Sequence, residues 1–328
     1  MRKTANILRI EHISLNDGQG MRTVVFFKGC KMRCAWCSTP ESQKTEPEVY
    51  FVKERCTGCG RCIAECPNKA LKFDDGSYGI VRDKNKCTDC FNCVDICNNR
   101  GHQIYGKKMT VKEIMHEIRK DEIFYFYSGG GVTLSGGDIF CQTDFAEELL
   151  LECHNSCVDT CAELDMCTEP ENVKRIVPLL DTVYIDIKAM DSVTHKKWTG
   201  KDNKTILENI KIASQICKKD AIHIRVPVIE GINDNIENIM ETVEFCNNLE
   251  NCSEIEFLPY HRLGTRTYER LQRKYQLNDR NAMNRYDVYK KIQGILGPAY
   301  NFDIKLSGMK IYDKNQGYLE ITEEKLKQ

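Results

Sequence analysis

Three cysteines stand at C-x3-C-x2-C in the stretch Cys30-Lys-Met-Arg-Cys34-Ala-Trp-Cys37. A closed, electron-carrying four-iron cluster takes four cysteine ligands. Three thiolates on a single loop therefore leave one iron open, and the chemistry expected there is binding of a small molecule at that iron. Two blander readings use the same residues: a zinc site lacking its fourth ligand, or three unrelated buried thiols. Zinc sites close with a Cys or His pair at short spacing, which weighs against the first.

Further cysteines strengthen the iron–sulfur reading. Cys56-Thr-Gly-Cys59-Gly-Arg-Cys62-Ile-Ala-Glu-Cys66-Pro67 is the C-x2-C-x2-C-x3-C-P run of bacterial ferredoxins, and Cys87-Thr-Asp-Cys90-Phe-Asn-Cys93-Val-Asp-Ile-Cys97 repeats it without the proline. In two-cluster ferredoxins the last cysteine of each run ligates the other cluster. The expected sets are thus Cys56, Cys59, Cys62 with Cys97, and Cys87, Cys90, Cys93 with Cys66. So small an insert has little apolar core, and metal is expected to carry much of its stability. Three clusters use eleven of the nineteen cysteines. For Cys141, Cys153, Cys157, Cys161, Cys167, Cys217, Cys246 and Cys252 the default is a small, inert, buried thiol.

Composition narrows the setting. A net charge of −1 gives no reason to expect nucleic acid or an anionic membrane as partner. Arg2, Lys3, Arg9, Glu11 and Asp17 interrupt any signal-peptide core, and no apolar run is long enough to span a bilayer. Thiols in this number, and clusters open to oxygen, point to the cytoplasm of an anaerobically living cell. The 328 residues suffice for one large domain and one small one.

Positioning these groups requires a scaffold, and strand-like runs alternate with amphipathic stretches along the chain. Strands are expected at 23–28, 132–135, 157–160, 182–187, 222–228 and 254–258, and helices near 144–153, 170–180, 204–218, 236–249 and 281–296. Thr110-Val-Lys-Glu113 offers a capping box before Val111, Ile114, Met115 and Ile118 at helical spacing. Strand then helix, repeated, implies a parallel sheet. The expected fold is α/β: a partial (β/α)6 TIM-like barrel with a small ferredoxin-like domain inserted after the first strand, a doubly wound open sheet being the alternative. The barrel is expected from 10–46 and 107–308, the insert at 47–106 and a tail at 309–328. Chemistry in such barrels sits at the carboxyl ends of the strands. There the sequence offers the cysteine loop, Ser135-Gly136-Gly137-Asp138, Asp159-Thr160, Asp186-Ile-Lys188, Arg225 within the fifth strand and His261 after the sixth.

Tyr127-Ser-Gly-Gly-Gly-Val-Thr-Leu-Ser-Gly-Gly-Asp138, Tyr184-Ile-Asp-Ile-Lys188, His195-Lys-Lys-Trp-Thr-Gly200, Arg225-Val-Pro-Val-Ile and Leu258-Pro-Tyr-His-Arg-Leu-Gly264 add to the cysteine loop and to an Asp17-Gly-x-Gly20-Met-Arg22 entry. Together they resemble the activating enzymes of glycyl radical enzymes, within the radical S-adenosylmethionine (SAM) superfamily. The likeness runs from about residue 9 to 307 and, with its double-ferredoxin insertion, is to the longer members rather than the shorter pyruvate formate-lyase activases. It implies that SAM chelates the open iron through its amino and carboxylate groups. Reductive cleavage then gives a 5′-deoxyadenosyl radical that takes hydrogen from a backbone glycine in the C-terminal glycine loop of a partner enzyme. Three 4Fe-4S clusters, SAM, a flavodoxin or ferredoxin as electron donor and, as in some members, a monovalent cation are the implied company.

The resemblance also suggests roles. Trp36, with Ser38 beside it, packs near the adenine. Gly136 and Gly137 let backbone approach the methionyl group. Asp138, where relatives carry Glu, reaches the SAM amino group. Asp186, Ile187 and Lys188 meet the ribose and the SAM carboxylate, with Arg225 a further candidate, and His261 contacts SAM from the last strand. Asp159, Thr160 and Asp186 resemble oxygen ligands of the cation, although Asp-Thr-Cys-Ala stands where many relatives have a glycine, and Gln19 replaces a common proline. Two readings compete for the insert, electron relay or docking platform. At the level of function the alternative is a radical SAM enzyme acting on a small molecule or another peptide.

Overall fold

A computed structural model describes residues 3–74, 79–295 and 299–327. Its strands are β1 (Thr4–Ser14), β2 (Arg22–Phe27), β3 (Glu48–Phe51), β4 (Leu71–Phe73), β5 (Ile80–Arg82), β6 (His102–Tyr105), β7 (Lys107–Thr110), β8 (Gly131–Gly136), β9 (Asp159–Leu164), β10 (Thr182–Asp186), β11 (Ile222–Val228), β12 (Cys252–Pro259), β13 (Asp303–Leu306), β14 (Met309–Asp313) and β15 (Gly317–Tyr318). Among the described residues, eleven strands form one sheet in the order β15-β14-β13-β12-β11-β10-β9-β8-β2-β1-β7. The run from β2 through β8 to β13 is parallel, while β1 and β7 at one edge and β14 and β15 at the other are antiparallel. Each parallel strand lies beside the next in sequence. That is the winding of a partial barrel; a doubly wound sheet reverses its order at a switch point.

Burial explains why these segments are strands. Every residue of β2 is buried, as expected of a parallel strand covered on both faces. Helices Val111–Ile118, Thr143–Asn155, Pro170–Ile176, Lys204–Ile216 and Ile236–Asn247 pack their apolar stripes on the sheet around Leu134, Ile185, Ile224 and Ile255. The capping box forms as its spacing predicts, with the Glu113 N–H donating to Thr110 and the Thr110 N–H to Glu113. The helix expected at 281–296 is Arg285–Ile292, capped by Asn284, and its expected end at Leu296 lies outside the described residues.

Three differences matter for the site. The parallel run gains a seventh strand, β13, beyond the six expected. The 309–328 segment, expected as a tail, adds β14 and β15 to the sheet, its final residue lying outside the described ones. Most consequential, the third strand begins at Asp159 instead of ending near it. Cys157 takes a left-handed conformation at φ 54°, so the turn out of the preceding helix occupies the start of the expected strand. Asp159 then pairs with the Arg22 guanidinium at 2.8 Å, and the Thr160 N–H donates to Asp181 at 2.8 Å. Asp186 lies at the opposite end of the neighbouring strand, since Ile185 is in register with Leu164. Asp159 and Thr160 therefore cannot share one cation with Asp186.

Candidate active site

A cavity of about 640 Å³ opens at the carboxyl ends of the parallel strands, within the range of small-molecule sites. Its wall is built strand by strand: Cys30, Cys34, Trp36, Cys37 and Ser38 after β2, Gly136 and Gly137 at the end of β8, Glu163, Leu164 and Asp165 from β9, Asp186 and Lys188 from β10, Arg225 from β11, and Tyr260, His261 and Leu263 after β12.

The cysteine loop is fixed through its backbone. Gly137 and Asp138 N–H groups donate to Phe27 and Gly29 carbonyls at 3.0 and 2.7 Å, while Arg33 and Ala35 donate to Thr199 and Trp198 at 2.7 and 2.9 Å. The His195-to-Gly200 motif thereby acquires a structural task. Its own shape is held by His195 Nδ1, buried and donating to the Lys201 carbonyl at 2.6 Å. Gly136 and Gly137 are required by this packing. A Cβ on Gly137 would sit 2.0 Å from the Gly29 oxygen, and Gly136 has φ 104° with a Cβ position 2.6 Å from the Phe27 oxygen. The missing side chains make room for the loop itself, while both glycines also line the cavity.

Burial keeps the three thiols of the loop protonated in the metal-free protein. Burial pushes the Cys34 thiol up to about 12, against the pull of nearby Lys188. Burial likewise raises Cys30 and Cys37, with Asp165 adding to the effect at Cys30. Such thiols stay protonated until a metal displaces the proton. Among the described residues no fourth cysteine lines the cavity, so the donor set fits a cluster with one open iron. Lys188 is buried with its Nζ 2.6 Å from Asp186. Burial opposes its charge, but Asp186 and Cys34 override that and hold the ammonium above its ordinary range. Arg225 pairs with Glu163 and lies 3.9 Å over the Tyr184 ring, so its guanidinium is fixed in the wall.

Two expected contacts fall elsewhere. Asp138 does not line the cavity: it accepts from the Phe140 N–H at 2.9 Å and faces Asp165, and burial followed by that second carboxyl raises it well above the carboxylate range. Ile187 is buried in the core. Conversely, Asp165 and Glu163 were missed. Asp165 lies 3.2 Å from Cys30 Sγ and is held by the Cys167 N–H at 2.9 Å. The alternation Cys161-Ala-Glu-Leu164 leading into Asp165 was the available signal.

In the insert, one small cavity is lined by Cys56, Cys59, Cys62 and Cys97 and a second by Cys66, Cys87, Cys90 and Cys93. The same four-and-four grouping follows from crossed ligation, and the thiols fit two closed clusters. The segment after β12 fastens this unit to the barrel. Past His261, Gly264 packs so closely that a Cβ would lie 2.8 Å from the Cys37 and Ser38 oxygens. Gln272 then accepts from the Arg82 N–H at 2.8 Å, and Arg273 reaches Glu48 at 2.7 Å and the Pro40 carbonyl at 2.6 Å.

Residues 85–246 match the Radical SAM superfamily and residues 48–98 match a 4Fe-4S dicluster domain. The trans-4-hydroxy-L-proline dehydratase activating enzyme of Clostridioides difficile is 39% identical over 311 residues, covering 92% of this chain and 99% of that one. The indoleacetate decarboxylase activating enzyme of Tractidigestivibacter scatoligenes is 38% identical over 281 residues, covering 83% and 88%. Among solved structures, Streptococcus suis SuiB bound to precursor peptide SuiA has a TM-score of 0.51 at 14% identity, covering 87% of this chain and 48% of that one, a likeness of fold alone.

Proposed function

The chain belongs to the glycyl radical enzyme activating enzymes of the radical SAM superfamily, and from that premise we propose how its own residues divide the work. When bound, the cluster and SAM supply the chemistry: one electron cleaves the sulfonium C–S bond to methionine and a 5′-deoxyadenosyl radical, which removes hydrogen from a backbone glycine of the partner glycyl radical enzyme.

Cys30, Cys34 and Cys37 hold the cluster and leave one iron free for the amino and carboxylate groups of SAM. Lys188 meets the carboxylate, for which a compact ammonium kept charged beside Asp186 is suited. Asp165, which lines the cavity beside Cys30, would meet the ligand's ammonium in place of Asp138. Trp36 and Ser38 border the adenine, Gly136, Gly137 and Asp186 the methionyl and ribose groups, and Arg225 and His261 the remaining wall. The convergence of three thiols and the Lys188–Asp186 pair in one strand-end cavity is the observation that supports this reading. Lys188→Met is expected to weaken SAM binding about 30-fold, about 2 kcal/mol, in equilibrium dialysis of reconstituted protein. Lys188→Arg should recover part of the loss, and unchanged affinity in both would remove Lys188 from the site.

The insert at 47–106 adds a cluster on Cys56, Cys59, Cys62 and Cys97 and another on Cys87, Cys90, Cys93 and Cys66, making three in the chain. It interrupts a barrel whose sheet draws its strands from 4–27 and 107–318, and it passes electrons from flavodoxin or ferredoxin to the SAM site. Cys59→Ala with Cys90→Ala should abolish activation driven by flavodoxin while dithionite restores it; loss of partner binding instead would make the insert a docking platform. Among the described residues no helix is long and apolar enough to cross a membrane, and an oxygen-sensitive open cluster suits the cytoplasm of an anaerobic cell.

Mixing the reduced protein with SAM and candidate glycyl radical enzymes should give 5′-deoxyadenosine and a glycyl doublet in electron paramagnetic resonance (EPR). Fully reconstituted protein that never cleaves SAM would overturn the assignment.

A further inference from the structure

The insert is built twice on one plan. Short helices Arg61–Ala64 and Asn92–Asp95 each follow a left-handed residue, Gly60 at φ 73° and Phe91 at φ 66°. At the end of each run Lys69 and Arg100 are again left-handed, at φ 47° and 53°. The next backbone N–H turns back onto the last cysteine, Ala70 to Cys66 Sγ at 3.3 Å and Gly101 to Cys97 Sγ at 3.1 Å. The matching breaks one residue later, where the first repeat has Leu71 and the second His102.

Each of these residues lines the cavity holding its own neighbouring cysteine set. Leu71 faces the one with Cys66, Cys87, Cys90 and Cys93, and His102 faces the one with Cys56, Cys59, Cys62 and Cys97. His102 is only 3% exposed, and its ring leans on Phe51 with centroids 5.0 Å apart. Among the described residues neither Nδ1 nor Nε2 has a hydrogen-bond partner. A neutral imidazole always carries one N–H donor, and a buried donor without an acceptor is costly and rare. In this cavity the fitting acceptor is cluster sulfur.

We propose that His102 donates a ring N–H to a sulfur of the cluster held by Cys56, Cys59, Cys62 and Cys97, and so sets the reduction potential of that cluster above that of its twin beside Leu71. The proposal rests on the crossed ligand sets given above. Hydrogen bonds to cluster sulfur are one of the protein's means of tuning potential, and a donor favours the reduced, more negative state. An electron entering the insert therefore settles on the His102 side, and the Leu71-side cluster is the stronger reductant of the two.

EPR-monitored redox titration of the reconstituted full chain, with iron analysis, tests this. His102→Leu should lower one auxiliary midpoint by about tenfold in the reduction equilibrium, about 59 mV for one electron, with iron content unchanged. Leu71→His should raise the other midpoint by a similar factor, and it decides the matter should His102→Leu fail to load, because it leaves His102 in place. His102→Gln, which keeps an N–H donor, should recover part of the shift. Loaded variants with unchanged midpoints overturn the proposal. Wild-type protein that binds fewer than three clusters would take it down together with the ligand sets beneath it.

Discussion

Cys34→Ala protein is expected to form neither 5′-deoxyadenosine nor a glycyl radical on any partner, a loss of at least about 10⁴-fold, while keeping about two thirds of its iron. Cys34 stands between the other two thiols of the loop, and two thiols alone would not hold a cluster with one iron placed for SAM. The retained iron is diagnostic because the eight insert cysteines line separate cavities. Cys141→Ala and Cys167→Ala are the controls: both thiols lie near Asp138 and Asp165 but neither lines the main cavity, so both variants should stay active. Iron per chain, EPR and product analysis read all three. Measurable SAM cleavage by Cys34→Ala would show that the loop is not the reactive centre.

Gly137→Ala should be severely damaging although it removes no ligand. Its Cβ would lie 2.0 Å from the Gly29 oxygen and 3.1 Å from the Ser42 oxygen, both backbone atoms of the cysteine loop or its anchor. The loop must move by roughly 1 Å, a misplacement that costs on the order of 10² in rate when it falls on reacting groups. Overpacking should also cost about 1–3 kcal/mol of folding stability. That second readout separates two explanations for the glycine. Were Gly137 needed only to admit the methionyl group, thermal unfolding of the metal-free protein would not change; loop packing predicts a lower melting temperature with or without cluster. An alanine variant of normal stability and normal iron content would refute the packing account.

What could be read from the chain divides along the range of the interactions involved. The cysteine runs were legible because ligation is local: spacing along one loop decides which sulfurs can share a cluster. The parallel strands were legible because burial on both faces leaves continuous apolar runs such as Thr23 to Phe27. Asp159 and Thr160 misled because a polar pair at a strand end looks alike at either end. Only the partner that each one takes, Arg22 or Asp181, shows that both belong to the amino-terminal end of the parallel strands, away from the cavity. Asp165 was harder to see, since it lies just past the end of β9 and only the alternation leading into it hinted at its place beside Cys30. The edge strands β1, β7, β14 and β15 were missed because their identity depends on which neighbour they pair with. Gly136 and Gly137 announced themselves as glycines, but the sequence could not name the carbonyls that exclude a side chain.

The stretch from His261 to Arg273 borders the cavity at one end and grips the insert at the other, through Gln272 on the β5 backbone and Arg273 on Glu48. Lifting that stretch to let a foreign polypeptide thread inward must either break those grips or drag the insert along with it. Movement at the cavity mouth is thus mechanically tied to the insert, and hydrogen exchange at Ile80 to Arg82 should quicken whenever that stretch is lifted.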